Sequence, residues 1–127
     1  MLWKTINTTN LIQTHYVSVN RSTVQLPDGI IIPDFYKVTI PDASGVVALT
    51  SDNKILLKTE YRYSQQTDLI ELPAGTFEED ESDPLAVAKR ELLEETGYES
   101  SDWTFLGSTV EWIGYTKSDR KNKVMVE

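Results

Sequence analysis

The chain has 127 residues, enough for one domain with a single buried core. Its apolar content of 39% and charged content of 25% are those of a folded globular protein. Twelve basic against 20 acidic residues give a net charge of -8, which argues against broad contact with nucleic acid phosphates. With no cysteine, disulfides, thiolate zinc sites and cysteine nucleophiles are excluded. The one histidine, His15, excludes a site built from several imidazoles and reads as a strand residue. A metal would therefore be held by oxygen, which points to Mg²⁺, Mn²⁺ or Ca²⁺. The N-terminal "MLWKTINTTN" lacks the apolar core of a signal peptide, and "GIIIP" is far too short to span a bilayer. A soluble cytoplasmic protein with no membrane partner is the expectation.

In chain order, residues 1–42 form a β-rich region. "LIQTHYVSVNR", "STVQL" and "IIIPDFYKVTI" are strand-like, and "PDG" marks a turn between the last two. A small antiparallel N-terminal sheet is predicted. "SGVVALT" and "KILLKTEYR" flank "SDN" as a second hairpin, and the apolar runs "VVAL" and "ILL" suit strands covered on both faces. "TDLIEL" is a further short strand that "PAG" stops. "TFEEDESD" is an acidic loop. Asp83-Pro84 is a strong helix start, with an N-cap aspartate and proline at the first helical position. The helix should run from Pro84 to Thr96 and stop at Gly97. "WTFLGSTVEWIG" is again strand-like, "YTKSDRKNK" a polar basic loop, and "VMVE" the start of another strand. That last strand is either a tolerated edge or a sign that the molecule is a fragment. The order suggests an α/β or α+β sandwich of mixed sheet and helix, preceded by the small sheet. We take residues 43–127 as the core domain.

The helix carries the chemistry. Leu85, Ala88 and Leu92 form its core stripe. Glu91, Glu94 and Glu95, spaced i, i+3, i+4, span about 100° of a different face and can converge on one point. Like charges at i,i+4 cost roughly 0.2–0.5 kcal/mol per pair. Carboxylates in a last helical turn cost a further ~0.3–1 kcal/mol each against the macrodipole. The pattern is either a solvated acidic face or a site for a divalent cation.

"RELLEETGY", Arg90 to Tyr98, resembles the second half of the Nudix hydrolase box, written G-x5-E-x7-R-E-U-x-E-E-x-G-U, at every fixed position. Gly75 and Glu81 fit its first half, so the box spans residues 75–98. Eight residues stand between Glu81 and Arg90 where the family has seven, which places the extra residue near Ser82-Asp83 and puts Glu81's family role in question. Upstream, Tyr61-Arg62 followed by "ELPAG", Glu71 to Gly75, is similar to the branch of ADP-ribose and nucleoside-diphosphate-sugar pyrophosphatases.

The resemblance implies a Nudix fold and a Nudix pyrophosphohydrolase. It implies Mg²⁺-dependent, or Mn²⁺-dependent, hydrolysis of the diphosphate linkage of ADP-ribose or a related nucleotide sugar. The products would be a nucleoside monophosphate and a sugar phosphate. It implies Glu91, Glu95 and Glu94 as metal ligands with the backbone carbonyl of Ala74, and Glu94, Glu95 and Arg90 as the catalytic group. Arg90 would hold the glutamates. Arg62 would contact substrate phosphate and Glu71 the base or ribose. A homodimer is a family expectation. The general base stays open: Glu111 and Asp119 are the acids near enough in sequence, only 29 residues follow Tyr98, and either the catalytic loop is missing from the chain or one box glutamate serves as base. Trp3, Trp103 and Trp112 read as core more readily than as stacking partners for adenine. Two further readings stand beside the first: a catalytically weak or truncated Nudix-fold nucleotide-binding module, and a Nudix enzyme acting on nucleoside triphosphates.

Overall fold

The computed structural model describes the backbone of residues 2–113 and 116–126 and the side chains of residues 2–109. The chain divides into two compact units, residues 1–41 with 110–120, and residues 42–109 with 121–127.

In the first unit, strands β1 (Lys4–Gln13), β2 (Ser18–Gln25) and β3 (Ile31–Thr39) form an antiparallel sheet in that order. The turns follow from local chemistry. The Thr14 hydroxyl accepts hydrogen bonds from the Tyr16 and Val17 amides and closes the β1–β2 connection. Between β2 and β3, Gly29 adopts φ +91°, and the Asp28 carboxylate accepts from the Ile30 amide at 3.1 Å. This is the turn that Pro27-Asp28-Gly29 predicts. Trp3 sits edge-on to Phe35, centroids 5.6 Å apart, and is half exposed.

In the second unit, β4 (Ala43–Val47) is the central strand. It pairs antiparallel with β7 (Ala74–Thr76) and parallel with Asn122–Val126, the second-unit part of β9 (Thr116–Val126). The sheet has the order β7-β4-β9-β8, with β8 spanning Thr104–Ile113. Strands β5 (Lys58–Arg62) and β6 (Thr67–Glu71) form a separate antiparallel ribbon. Helix α1 (Pro84–Thr96) packs on β4 and β7. The core joins Val46 and Ala48 of the sheet segment to Ala88 and Leu92 of the helix, with Leu56, Leu85 and Trp103 packed at its margin. Val87 is also buried. Ser44, fully buried, donates its hydroxyl to the Pro84 carbonyl at 2.9 Å and ties the strand to the first helical turn.

Three expectations are corrected. "YTKSDRKNK" is strand rather than loop from Thr116 onward. Asn122–Val126 lies in parallel register with Ala43–Val47, and ladder pairing carries the polar residues into the strand despite their weak β propensity. "ILL" is not a strand covered on both faces. Ile55 makes an isolated bridge to Leu49, and Ile55 and Leu57 are more than half exposed while Leu56 points to the core. "PAG" does more than stop β6, because Ala74 and Gly75 open β7.

The helix boundaries are those predicted. Asp83 accepts from the Leu85 amide at 3.0 Å, and Gly97 at φ +74° donates its amide to the Leu93 carbonyl at 2.8 Å. No atom lies within 4 Å of a Cβ built at Gly97, so the position requires glycine for its backbone and not for space. Gly97→Ala should cost about 1–2 kcal/mol, the penalty for a left-handed Cβ, with an unchanged slope in urea denaturation.

Candidate active site

The site is built on α1, β7 and the β5–β6 ribbon of the second unit. Arg90 is its hub. Its Nε and Nη2 donate in fork geometry to Glu81, at 2.9 and 2.8 Å. Nη1 donates to Glu91 at 2.6 Å and to Glu94 at 3.2 Å, and Nη2 also reaches the Thr76 carbonyl at 3.2 Å. One planar guanidinium thus ties the acidic loop, the end of β7 and two helix carboxylates together, which an ammonium could not match. The Glu78 amide donates to Glu81 at 2.8 Å. The residue inserted between Glu81 and Arg90 is therefore absorbed in the loop, and Glu81 still meets the helix.

Burial sets the charges apart. The Glu91 side chain is 11% exposed, and burial pushes its carboxyl above the ordinary range against the pull of Arg90. Glu81 is held below its usual value by the hydrogen bonds from Arg90, then by the Glu78 amide. A Cβ at Gly75 would overlap the Glu91 carboxylate, so the box glycine is the space in which that carboxylate lies.

Glu95 turns elsewhere. Its Oε2 accepts from the Ala74 amide at 2.9 Å, and its Oε1 is ion-paired to Lys58 Nζ. The same ammonium pairs with Glu60. Glu60 in turn is ion-paired with Arg62 Nη1 at 3.0 Å. Arg62 grips Glu71 with Nε at 2.9 and 3.1 Å and with Nη2. That grip lowers the Glu71 carboxyl and raises the Arg62 guanidinium.

The structure thus brings Arg62 and Glu71 together, on each other, and gathers Glu91 and Glu94 on Arg90. The expected convergence of all three helix glutamates is not seen. Each takes the nearest resident cation, and among the described residues no three metal-ligating side chains form a cluster that could hold an ion. Ala74 meets Glu95 through its amide. The donor set still fits a hard divalent cation in kind: it is all carboxylate oxygen, and the Glu91 carboxylate lies in the space left by the missing Cβ of Gly75. Glu111, Trp112 and Asp119 fall outside the described side chains. Trp103 donates to the Ser100 carbonyl at 3.0 Å, lies beneath the Lys89 ammonium, and lines a cavity of about 280 Å³ with Lys89, Arg90 and Leu93 of the helix. His15 sits edge-on to Tyr16, centroids 5.0 Å apart. Lys58 and Glu60 were missed by the sequence reading. Their signal is the alternation K-T-E-Y-R, which puts three charged side chains on one face of a strand.

Compared with known proteins, residues 39–126 match the Nudix domain model. The chain belongs to the Nudix family. A methanol dehydrogenase activator from Bacillus methanolicus is 38% identical over 81% of this chain and 55% of its own length. An ADP-ribose pyrophosphatase from Bacillus subtilis is 39% identical over 50% of this chain and 34% of its own. A solved structure titled ADP compounds hydrolase superposes with a TM-score of 0.80 at 21% identity, over 99% of this chain and 66% of that one, and shows the same fold. The chain spans about half the length, or less, of these curated relatives. Nudix enzymes generally act with divalent metal cations. Among the described residues, no helix is long and apolar enough to cross a membrane.

Proposed function

We propose that the protein is a Nudix pyrophosphohydrolase that cleaves the diphosphate linkage of ADP-ribose or a related nucleoside diphosphate sugar, with Mg²⁺, into a nucleoside monophosphate and a sugar phosphate. The observation that supports this reading is the set of contacts that fixes the carboxylates of the box helix. Arg90 fixes Glu81, Glu91 and Glu94, and Glu95 is anchored to the "ELPAG" backbone at Ala74. Relatives of this chain include ADP-ribose pyrophosphatases, which supports the substrate class.

Glu91, Glu94 and Glu95 are the residues that would hold Mg²⁺, or Mn²⁺, with the Ala74 carbonyl as a further oxygen. The bound ions would supply charge neutralisation of the diphosphate and activation of water. The chain's own residues do the rest. Arg90 keeps two of the carboxylates at fixed places on the helix so that little reorganisation is needed when charge develops. Arg62 binds a substrate phosphate through the donors that Glu71 and Glu60 now share, and Glu71 orients the base or ribose. Because Arg62 is 40% exposed, substrate can reach it without opening the core.

This reading includes a cytoplasmic homodimer. β1 is exposed along its whole length, Ile6, Leu11 and Ile12 included, and light scattering checks the assembly.

A second reading, a nucleotide-binding module of weak activity, is favoured by the engagement of Glu95 with Lys58. One assay separates them. The protein is incubated with Mg²⁺ and, separately, ADP-ribose, UDP-glucose and nucleoside triphosphates. AMP and ribose 5-phosphate from ADP-ribose are the expected products. Pyrophosphate from a triphosphate, or binding without turnover, would overturn the proposal in favour of the other two readings.

A further inference from the structure

Lys58 is the least exposed cation of the site, at 10% of its side chain, and it bridges two carboxylates. Lys58, Glu60 and Arg62 alternate along β5 and share one face. With Glu95 at one end and Glu71 at the other they form a continuous chain of alternating charge: Glu95, Lys58, Glu60, Arg62, Glu71. Glu95 has two oxygens, and both are engaged by protein groups, one by the Ala74 amide and one by Lys58.

We propose that Lys58 is a positioning residue, the resident counter-ion of Glu95. It holds the helix carboxylate against the Ala74 amide, and must give up Oε1 before that carboxylate can take a divalent cation. Glu60 is the second partner that retains the ammonium when it leaves. The inference rests on the reading of Glu95 as a metal ligand. It adds that empty and loaded states of the site differ in the partner of Lys58, and that the β5 ladder connects this exchange to Arg62 and Glu71 at the substrate end.

Two opposite effects follow. Lys58→Met removes the competitor and should tighten Mn²⁺ binding to substrate-free protein, on the order of tenfold. Glu60→Gln leaves the ammonium to Glu95 alone and should weaken binding by a similar factor. Mn²⁺ titration followed by electron paramagnetic resonance reads both without turnover. A merely structural role for Lys58 would loosen the site on removal, never tighten it. Lys89→Met is the control for net charge, since Lys89 lies on the same helix but contacts Trp103 rather than a box glutamate. Unchanged or weaker Mn²⁺ binding in Lys58→Met overturns the inference, as does an equal gain in Lys89→Met. If Glu95→Gln leaves Mn²⁺ binding unaltered, the metal reading of Glu95 fails instead, and the two failures are distinct. Should Lys58→Met not fold, Lys58→Gln, which keeps a donor for Glu60, takes its place with the same expected gain.

Discussion

Glu95→Gln should lower kcat for ADP-ribose hydrolysis on the order of 10²–10³-fold, with KM changed far less. The substitution preserves volume and an acceptor oxygen, so the Ala74 amide keeps its partner and the helix keeps its seat on β7. What is lost is charge. The carboxylate is one of the helix anions that would hold the cation balancing a diphosphate, and removing one fixed group from such a set costs several kcal/mol in the transition state. Lys58, with 10% of its side chain exposed, is left with Glu60 alone. Steady-state kinetics at saturating Mg²⁺, with circular dichroism to confirm the fold, measures the outcome. A kcat within tenfold of the unsubstituted protein would remove Glu95 from the catalytic group.

How far the site was legible follows from which interactions are local. The helix was readable to the residue because its ends are decided within a few positions. Asp83 caps its own first turn, Pro84 follows, and Gly97 supplies the left-handed cap. The i, i+3, i+4 glutamates were equally plain. β7 was not, because Ala74–Thr76 is a strand only by pairing with Ala43–Gly45, some 30 residues earlier. The polar part of β9 was missed for the same reason. The β5 charges were unremarkable in sequence, since a strand with alternating Lys, Glu and Arg usually faces water. Their meaning came from Glu95, 37 residues away from Lys58 and brought to it by the fold. The arrangement of the three carboxylates was legible only as a possibility. Helical spacing makes it possible but does not say which cation each carboxylate will find, and Arg90 and Lys58 divide them.

Arg90→Met should be the most destabilising change at the site, by about 2–4 kcal/mol in urea denaturation at neutral pH. Breaking a buried pair strands its partner, and Glu91 is the partner stranded. The cost stays below that of a fully dry pair because Arg90 keeps 25% of its side chain in water. Acid should shrink the difference. Glu81 is depressed below 4.5 by Arg90, so its contribution is fully present above that pH and is lost as pH falls through its folded value. The variant keeps only the smaller part that the Glu78 amide supplies. Glu91 is raised above 4.5 by burial, and without Arg90's opposing pull it rises further. In the variant, stability therefore falls as pH climbs from 4.5, because the unfolded chain ionises that carboxyl before the folded one does. The two proteins should differ most at neutral pH and draw together as pH falls below 4.5. Arg90→Lys, which restores charge but not the fork, should recover less than half of the loss, since one ammonium cannot serve Glu81, Glu91 and the Thr76 carbonyl together. A gap between Arg90→Met and the unsubstituted protein that is constant from pH 7 to pH 4 would mean that packing, and not the carboxylate network, is what Arg90 supplies.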